Sequence, residues 1–307
     1  MPASQFPVVL KVDGLAAGKG VIICEDRQKA LLALNDCFVG DMFGSSGNFI
    51  IIEQFIEGFE VSILNLCDGK NLVPMVPAQD YKKIFDNDQG KNTGGMGSYC
   101  PVPFVNERMY GKILDEIIFP TYEALCREGL KYRGILYGGI IISEGQPFLL
   151  EYNCRFGDPE TQAILPRLED DLLELLLACE NGTLGDRKLN WDESKCVCVV
   201  VASKGYPESS SKGDIISGLD DFKSTDQRSA GSDRQDVSGV DTIIFHAGTK
   251  SSNGQIFTDG GRILGVVSKS DTFRSARKKA YSRISDIYFD GMQYRKDIAL
   301  RVEEVQH

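Results

Sequence analysis

"KVDGLAAGKGV", residues 11–21, sets Gly14, Gly18 and Gly20 and the lysines Lys11 and Lys19 around an alanine pair, at the end of the β-type run "FPVVLKV". It is not a Walker A loop. That motif needs four residues between its glycines and then Lys-Ser/Thr, so that a hydroxyl reaches the magnesium ion. Here Leu15, Ala16 and Ala17 alone separate Gly14 from Gly18, and Gly20 follows Lys19. A dinucleotide fingerprint fails as well, because position 23 is Ile. The stretch keeps the means to bind an anion, since small residues expose backbone N–H groups and two lysines add charge. A hairpin turn whose glycines supply positive φ fits it equally. On these residues alone both readings stand, and the fold depends on which one the rest of the chain supports.

The bulk composition narrows the classes. With 307 residues, 42% apolar and 25% charged, the chain is expected to form one large or two smaller globular domains. A net charge of −10 argues against a nucleic-acid or anionic-membrane partner. No apolar run approaches the roughly 20 residues of a membrane helix, and "MPASQFPVVLKV" carries no secretory pattern, so a cytoplasmic location is expected. Nine cysteines without CxxC pairs read as reduced structural thiols. There are two histidines, and His307 is the last residue. Only His246 remains for general-base work, so chemistry must lean on carboxylates, lysines, arginines and a bound ion.

Working outward, "FPVVLKV" and "GVIIC" read as strands, and residues 26–38 as a helix with Ala30, Leu31, Leu34 and Phe38 on one face. "NFIIIEQFIEGFEVSILNL" gives two strands around a short break, and 79–98 a long polar, glycine-rich loop. A helix is expected over 106–127. "GILYGGIIIS", "EGQ" and "PFLLEYN" make a hairpin, and "EDDLLELLLACE" a short helix. After Trp191 the pattern turns to strands, interrupted by a polar insert at 223–239, with a final helix over 272–289. The architecture expected is α+β, with a main domain to about residue 189 and a small β-rich domain after it.

Three groups of residues carry chemistry. Lys11 lies on the strand entering the glycine loop, although a solvated surface lysine fits the same spacing. Glu53 and Glu60 flank a break between strands, where unpaired backbone suits a purine edge and a carboxylate can accept ribose hydroxyls. Unaided, two solvated acids beside a turn is the simpler account. Glu151 and Asn153, two apart on a strand, face one way and offer hard oxygen ligands that suit magnesium. Arg155 follows on the same side, able to hold an anionic oxygen.

Taken in order, a lysine-bearing strand with a glycine loop, a hinge, and a strand ending in acid and amide resemble the ATP-grasp superfamily of carboxylate–amine ligases. Within it, the wording is similar to the phosphoribosylamine–glycine ligase (glycinamide ribonucleotide synthetase) family. The stretches that carry this likeness are "KVDGLAAGKGV", "PMVPAQDYKKIFDNDQGKNTGGMGSYCP", "RGILYGGIII", "LLEYNCRFGDPETQAILPRL", "FHAGT", "GGRILGVV" and "FDGMQYRKDI", which span nearly the whole chain. Departures fall in the second: Tyr81-Lys82-Lys83 stands for His-Lys-Arg, and Asn87 and Lys91 for Gly and Pro.

The resemblance implies an ATP-grasp fold with a partial lid subdomain at 1–59, a central subdomain with the metal site at 60–189, and the β-rich domain at 190–307. It implies ligation of glycine to 5-phosphoribosylamine in purine biosynthesis, with ATP split to ADP and phosphate through an acyl phosphate. The cofactors implied are ATP and Mg2+ or Mn2+. By resemblance, Lys11, Gly14, Gly18, Lys19 and Gly20 hold phosphates. Glu53, Gln54, Phe55, Ile56 and Glu60 take adenine and ribose, and Glu151 and Asn153 the metal. Asp80, Lys82, Asn92 and Arg155 are candidates for glycine, the acyl phosphate and the ribose phosphate, with Asp80, Lys82 and Arg155 closest to catalysis. A whole N-terminal α/β domain precedes Lys11 in this family. The 307-residue chain is therefore expected to be an N-terminally shortened form, inactive alone unless a separate polypeptide supplies that domain. Another ATP-grasp ligase, or a non-catalytic ATP-binding fragment, are the alternatives.

Overall fold

The computed structural model describes residues 6–14, 20–40, 42–219 and 242–303. Gly18 and Lys19 of the glycine loop, the 223–239 insert and His307 lie outside the described residues. Two compact units divide between Phe59 and Glu60.

The first unit holds β1 (Val8–Val12), β2 (Val21–Cys24), α1 (Arg27–Phe38) and β3 (Ile50–Gln54). The strands form an antiparallel sheet in the order β2-β1-β3. Val8, Leu10 and Cys24 of this sheet pack on Ala30 and Ala33 of α1. Asp26 starts that helix, its side chain accepting from the Lys29 N–H at 2.8 Å, as a short polar N-cap does. The loop after β1 is closed by the Val12 N–H donating to Gly20 O at 3.0 Å. Gly14 is required there because a Cβ would lie 2.5 Å from the Ser46 side chain.

The second unit begins with β4 (Phe59–Asp68) and β5 (Leu72–Pro74). The 79–98 stretch was expected to be a structureless loop. Instead it is a chain of short strands, β6 (Gln79–Asp80), β7 (Lys83–Phe85), β8 (Gln89–Asn92) and the start of β9 (Gly97–Cys100). Each is too short and polar to show a period-2 pattern, which is why the sequence hides them. The 106–127 helix is present in three parts: α2 (Glu107–Ile113), a π-turn at 114–118, and α3 (Phe119–Arg127). Pro120 lacks an N–H and its ring crowds the carbonyl four residues back, so the wider turn ahead of it relieves the clash. The hairpin β10 (Arg133–Ser143) and β11 (Gln146–Asn153) follows, then α4 (Glu160–Ile164) and α5 (Leu172–Asn181). Gly182, at φ 70°, ends α5 in the left-handed conformation that glycine adopts without strain.

The remaining elements are β12 (Lys195–Ala202), β13 (Lys212–Ile215), β14 (Thr242–His246), β15 (Thr249–Ser252), β16 (Gln255–Asp259), β17 (Arg262–Ser270) and α6 (Phe273–Ser285). The last helix is thus shorter than the expected 272–289. Two sheets dominate the unit, ordered β11-β10-β4-β5 and β14-β17-β12-β9-β6. The second draws strands from both 79–100 and 195–270. Leu64, Leu66 and Ile135 of the first sheet meet Cys198, Val200 and Val267 of the second, with Ala163, Ile164 and Leu175 of α4 and α5 completing the core.

Asp68 pins one end of β4. Its carboxylate accepts from the backbone N–H of Lys70, Asn71 and Leu184 at 2.8, 2.6 and 2.9 Å. Burial pushes its pKa up, but the Asn71, Lys70 and Leu184 bonds outweigh this and hold it at about 2. A carboxyl lowered from about 3.9 stabilises the fold above that pH and loses its contribution as pH falls toward 2. Asp68→Ala is therefore expected to cost about 1–2 kcal/mol near neutral pH, allowing for solvent screening. The deficit should shrink below pH 4, and urea midpoints of the two chains at pH 7 and pH 3 check this.

Candidate functional site

Strand alternation gathers the site. Glu60 and Ser62 lie on one face of β4, Tyr137 on β10, and Glu151 and Asn153 on β11. Tyr137 is directly opposite Asn153, and Gly139 opposite Glu151. Farther along β4 the same face carries Leu64 and Leu66 into the core. The polar cluster is therefore the end of a face whose other end is sealed.

From the second sheet, β6 supplies Asp80, and Lys82 follows it. The Lys82 ammonium lies 3.6 Å from both the Asp80 and the Glu60 carboxylates. Behind this pair the buried Glu160 Oε1 accepts from the Tyr137 hydroxyl at 2.6 Å and from the Ser62 hydroxyl at 3.0 Å. Burial pushes the Asp80 carboxyl up; Lys82 opposes this and Glu60 adds to it. Burial, then the neighbouring Asp80, raises Glu160 against the pull of Tyr137 and Lys82. Burial works against the charge of Lys82, yet Asp80, Tyr137, Glu60 and Glu160 together raise its pKa. One ammonium thus pairs with two carboxylates, and its charge also reaches the Glu160 carboxyl behind them.

Glu151 and Asn153 form the second cluster, the Asn153 amide donating to Glu151 Oε1 at 3.0 Å. Half a turn of that amide sets its oxygen beside the carboxylate. A hard pair of oxygen donors at a solvent-reached strand end fits magnesium or manganese, with water and phosphate oxygens filling the remaining positions. Among the described residues no group of three or more His, Cys, Asp and Glu could hold a metal, so this pair relies on such outside ligands.

The other expected residues are placed differently. In the first unit, the Lys11 ammonium meets the Glu53 carboxylate at 2.6 Å, Gln54 ends β3, and Phe55 and Ile56 run on outside the strand. Asn92 is exposed at the end of β8. Arg155 is exposed just past β11, its Nη1 donating to Phe156 O at 2.8 Å. His246 is exposed at the end of β14, with Nδ1 3.1 Å from the Thr249 hydroxyl. Sequence reasoning missed Ser62, Tyr137 and Glu160. Ser62 was legible, since it shares strand parity with Glu60, whereas Tyr137 enters only through its register opposite Asn153. Glu160 was not, because it acts from the first turn of a five-residue helix. A separate concavity of about 500 Å3, lined by Ile117, Pro120, Ala124 and Leu149, is mostly apolar and has no such cluster.

Raised carboxyls hold protons more tightly in the folded chain than in the unfolded one. They favour the fold below about pH 4, and that contribution is lost as pH rises through the folded values. Glu160→Gln keeps an oxygen for Tyr137 while removing one of the two raised acids. The parent is expected to lose more stability than the variant as pH rises from pH 4 to pH 8. Urea midpoints at both values test this, and equal losses would contradict the assigned coupling.

Comparison with known proteins agrees with this architecture. Residues 1–161 match the family model for the phosphoribosylglycinamide synthetase ATP-grasp (A) domain, and residues 196–301 the model for the C domain of the same synthetase. A phosphoribosylamine–glycine ligase of Caldanaerobacter subterraneus is 43% identical over 294 residues, covering 96% of this chain and 66% of that protein. One from Synechocystis is 45% identical over 294 residues, covering 95% and 65%. The chain thus spans slightly under two thirds of the length of these curated relatives. The crystal structure of the phosphoribosylamine–glycine ligase of Thermotoga maritima superposes with a TM-score of 0.81 at 33% identity, covering 95% of this chain and 69% of that one. With an ATP-grasp domain and a β-rich C domain both matched in order, the chain belongs to the phosphoribosylglycinamide synthetase family.

Proposed function

We propose that this chain takes part in joining the carboxylate of glycine to the amine of 5-phosphoribosylamine, with ATP converted to ADP and phosphate. The observation that carries this reading is the Asp80–Lys82–Glu60 cluster, whose Glu60 lies on the sheet face that also bears Glu151 and Asn153, in a chain of this family. A carboxylate is a poor electrophile. It is first phosphorylated by the γ-phosphate, and the amine then displaces phosphate from the acyl phosphate. Such chemistry asks for positioning and charge neutralisation rather than a protein nucleophile, which fits a chain with two histidines.

In this reading Lys82, held by two carboxylates, presents a cation to the anionic oxygens of glycine and of the acyl phosphate. Asp80 faces the substrate's amino group, and Arg155 and Asn92 take phosphate or ribose oxygens. Glu151 and Asn153 hold Mg2+ or Mn2+, which when bound neutralises charge on the triphosphate. Lys11, with Gly14, Gly18, Lys19 and Gly20, binds phosphates, exchanging Glu53 for them. Backbone around Gln54–Ile56 takes adenine and Glu60 the ribose. The functional parts in this proposal are the lid subdomain at 1–59, the central subdomain at 60–189 and the C-terminal portion at 190–307. The setting is the cytoplasm.

Glycine-dependent ADP release, measured with ATP and freshly made phosphoribosylamine, tests the activity. It is run with the chain alone and with the remaining part of a relative added in trans. No release in either arm would refute the ligase reading.

Two substitutions test the assignments. Glu151→Gln is expected to abolish the magnesium dependence of nucleotide binding with the fold intact by circular dichroism, and parent-like MgATP binding would remove the metal role. Glu60→Ala should weaken ATP and AMP alike by about 1–3 kcal/mol, the scale of charge-assisted hydrogen bonds to ribose. Lys11→Ala should weaken ATP and spare AMP. Calorimetric titration with both nucleotides separates these roles.

A further inference from the structure

We propose that Arg262, at the start of β17, is the positioning residue that fixes Lys82 relative to Glu160. Its guanidinium bridges two turns, one at Gly94–Gly95 and one at Asp158. Nη1 donates to Gly94 O at 2.8 Å, to Asp158 O at 2.7 Å and to Gly95 O at 3.4 Å, while Nη2 donates to Asp158 Oδ2 at 2.9 Å. Each turn leads directly to the cluster. Thr93, beside Gly94, donates to Lys82 O through its N–H at 2.7 Å and its hydroxyl at 2.8 Å, and the Gly95 N–H donates back to Thr93 Oγ1 at 3.0 Å. On the other side Asp158 precedes Pro159 and Glu160. Pro159 O accepts from the Ser98 hydroxyl at 2.6 Å, and Ser98 pairs with Asp80 across β9 and β6.

The two turns are also in close contact. Gly95 sits at φ 113°, where a Cβ would lie 2.4 Å from Pro159 Cδ. Arg262 closes the open side of that contact, and the Gly94 N–H is taken by the Tyr206 hydroxyl at 2.9 Å. The Arg262–Asp158 ion pair alone is a half-exposed contact of small worth. What distinguishes it is the planar fork of donors, which reaches the carbonyls of both turns at once. Lysine, a point charge with no fork, cannot reproduce this. Because Lys82 and Glu160 are thereby set from the C-terminal portion, that portion takes part in the site without contributing a reacting group. The functional meaning of this clamp rests on the ligase reading, whereas its geometry does not.

Hydrogen–deuterium exchange of the full chain tests it, comparing the parent with Arg262→Ala and Arg262→Lys. Exchange over 92–97 and 157–161 is expected to rise about tenfold or more in the alanine variant, with β3 and β12 unchanged. Lysine should restore 157–161 in part, through Asp158, and leave 92–97 exposed; this variant decides if the alanine chain does not fold. In the ADP-release assay kcat should fall in the order Arg, Lys, Ala with the KM for ATP unchanged. A parent without glycine-dependent turnover in any arm defeats the ligase reading, and the exchange pattern then decides the clamp alone. Parent-like exchange in both turns overturns the proposal. An equal rise throughout β12 and β17 does so too, and so does full restoration of both turns by lysine.

Discussion

One ammonium paired with two carboxylates, beside a third carboxyl that is buried, is the constraint around which the second unit is organised. Burying charge without compensation costs far more than any single hydrogen bond returns. The Lys82 ammonium therefore has to sit between Asp80 and Glu60, and Glu160 has to be supplied with donors. Tyr137 and Ser62 supply them, each from a different strand of the first sheet. Asp80 comes from the second sheet, and Glu160 from the short helix between them. The charge balance can be met only if both sheets and α4 are in place together. That ties the site to the packing of Leu64, Leu66, Ile164 and Val200 beneath it.

An excess of negative charge also suits the chemistry. For the ligation proposed above, a site filled with permanent cations would hold the product phosphate as firmly as the substrate. Lys82 is a single cation whose partners already draw on it, so any incoming anionic oxygen would have to compete with Asp80 and Glu60. Lys11 is in the same position in the first unit, where Glu53 holds it at 2.6 Å.

How much of this the sequence discloses depends on the length of each element. The long strands β4, β10, β12 and β17 and the helices α1 and α5 declare themselves by their apolar patterns. Glu151 and Asn153 are visible because two polar residues at period 2 end an otherwise apolar strand. The 79–98 stretch reads as loop, since strands of two to four residues carry no periodicity. The partnership of Lys82 with Glu160, 78 residues apart in sequence, is set by tertiary packing, which no local pattern encodes. Likewise, the strand-rich character of the C-terminal portion is plain in "CVCVVVA" and "RILGVVS". That these strands extend a sheet begun at β6 and β9 is not, because antiparallel neighbours can be drawn from any part of a chain.

Two of the departures from the family's wording in that stretch, Tyr81 and Asn87, have physical accounts that leave the cluster intact. Tyr81 points away from Asp80 and Lys82 and is buried. Its ring is flanked by the guanidiniums of Arg295 and Arg301, 4.7 and 4.6 Å from the centroid. An aromatic face favours such cations, and the Tyr81 hydroxyl accepts from the Ala299 N–H at 2.9 Å. Asn87, where glycine is usual, has φ 57°, ψ 32°. Asparagine is among the few L-residues that enter the left-handed region readily, at a cost of roughly 1–2 kcal/mol. Bonds from the Asn87 N–H to Asp297 and from Arg295 to Asp88, at 2.9 and 2.8 Å, offset it. These two substitutions therefore alter the support beneath the strand pair and leave the Asp80–Lys82–Glu60 cluster unchanged.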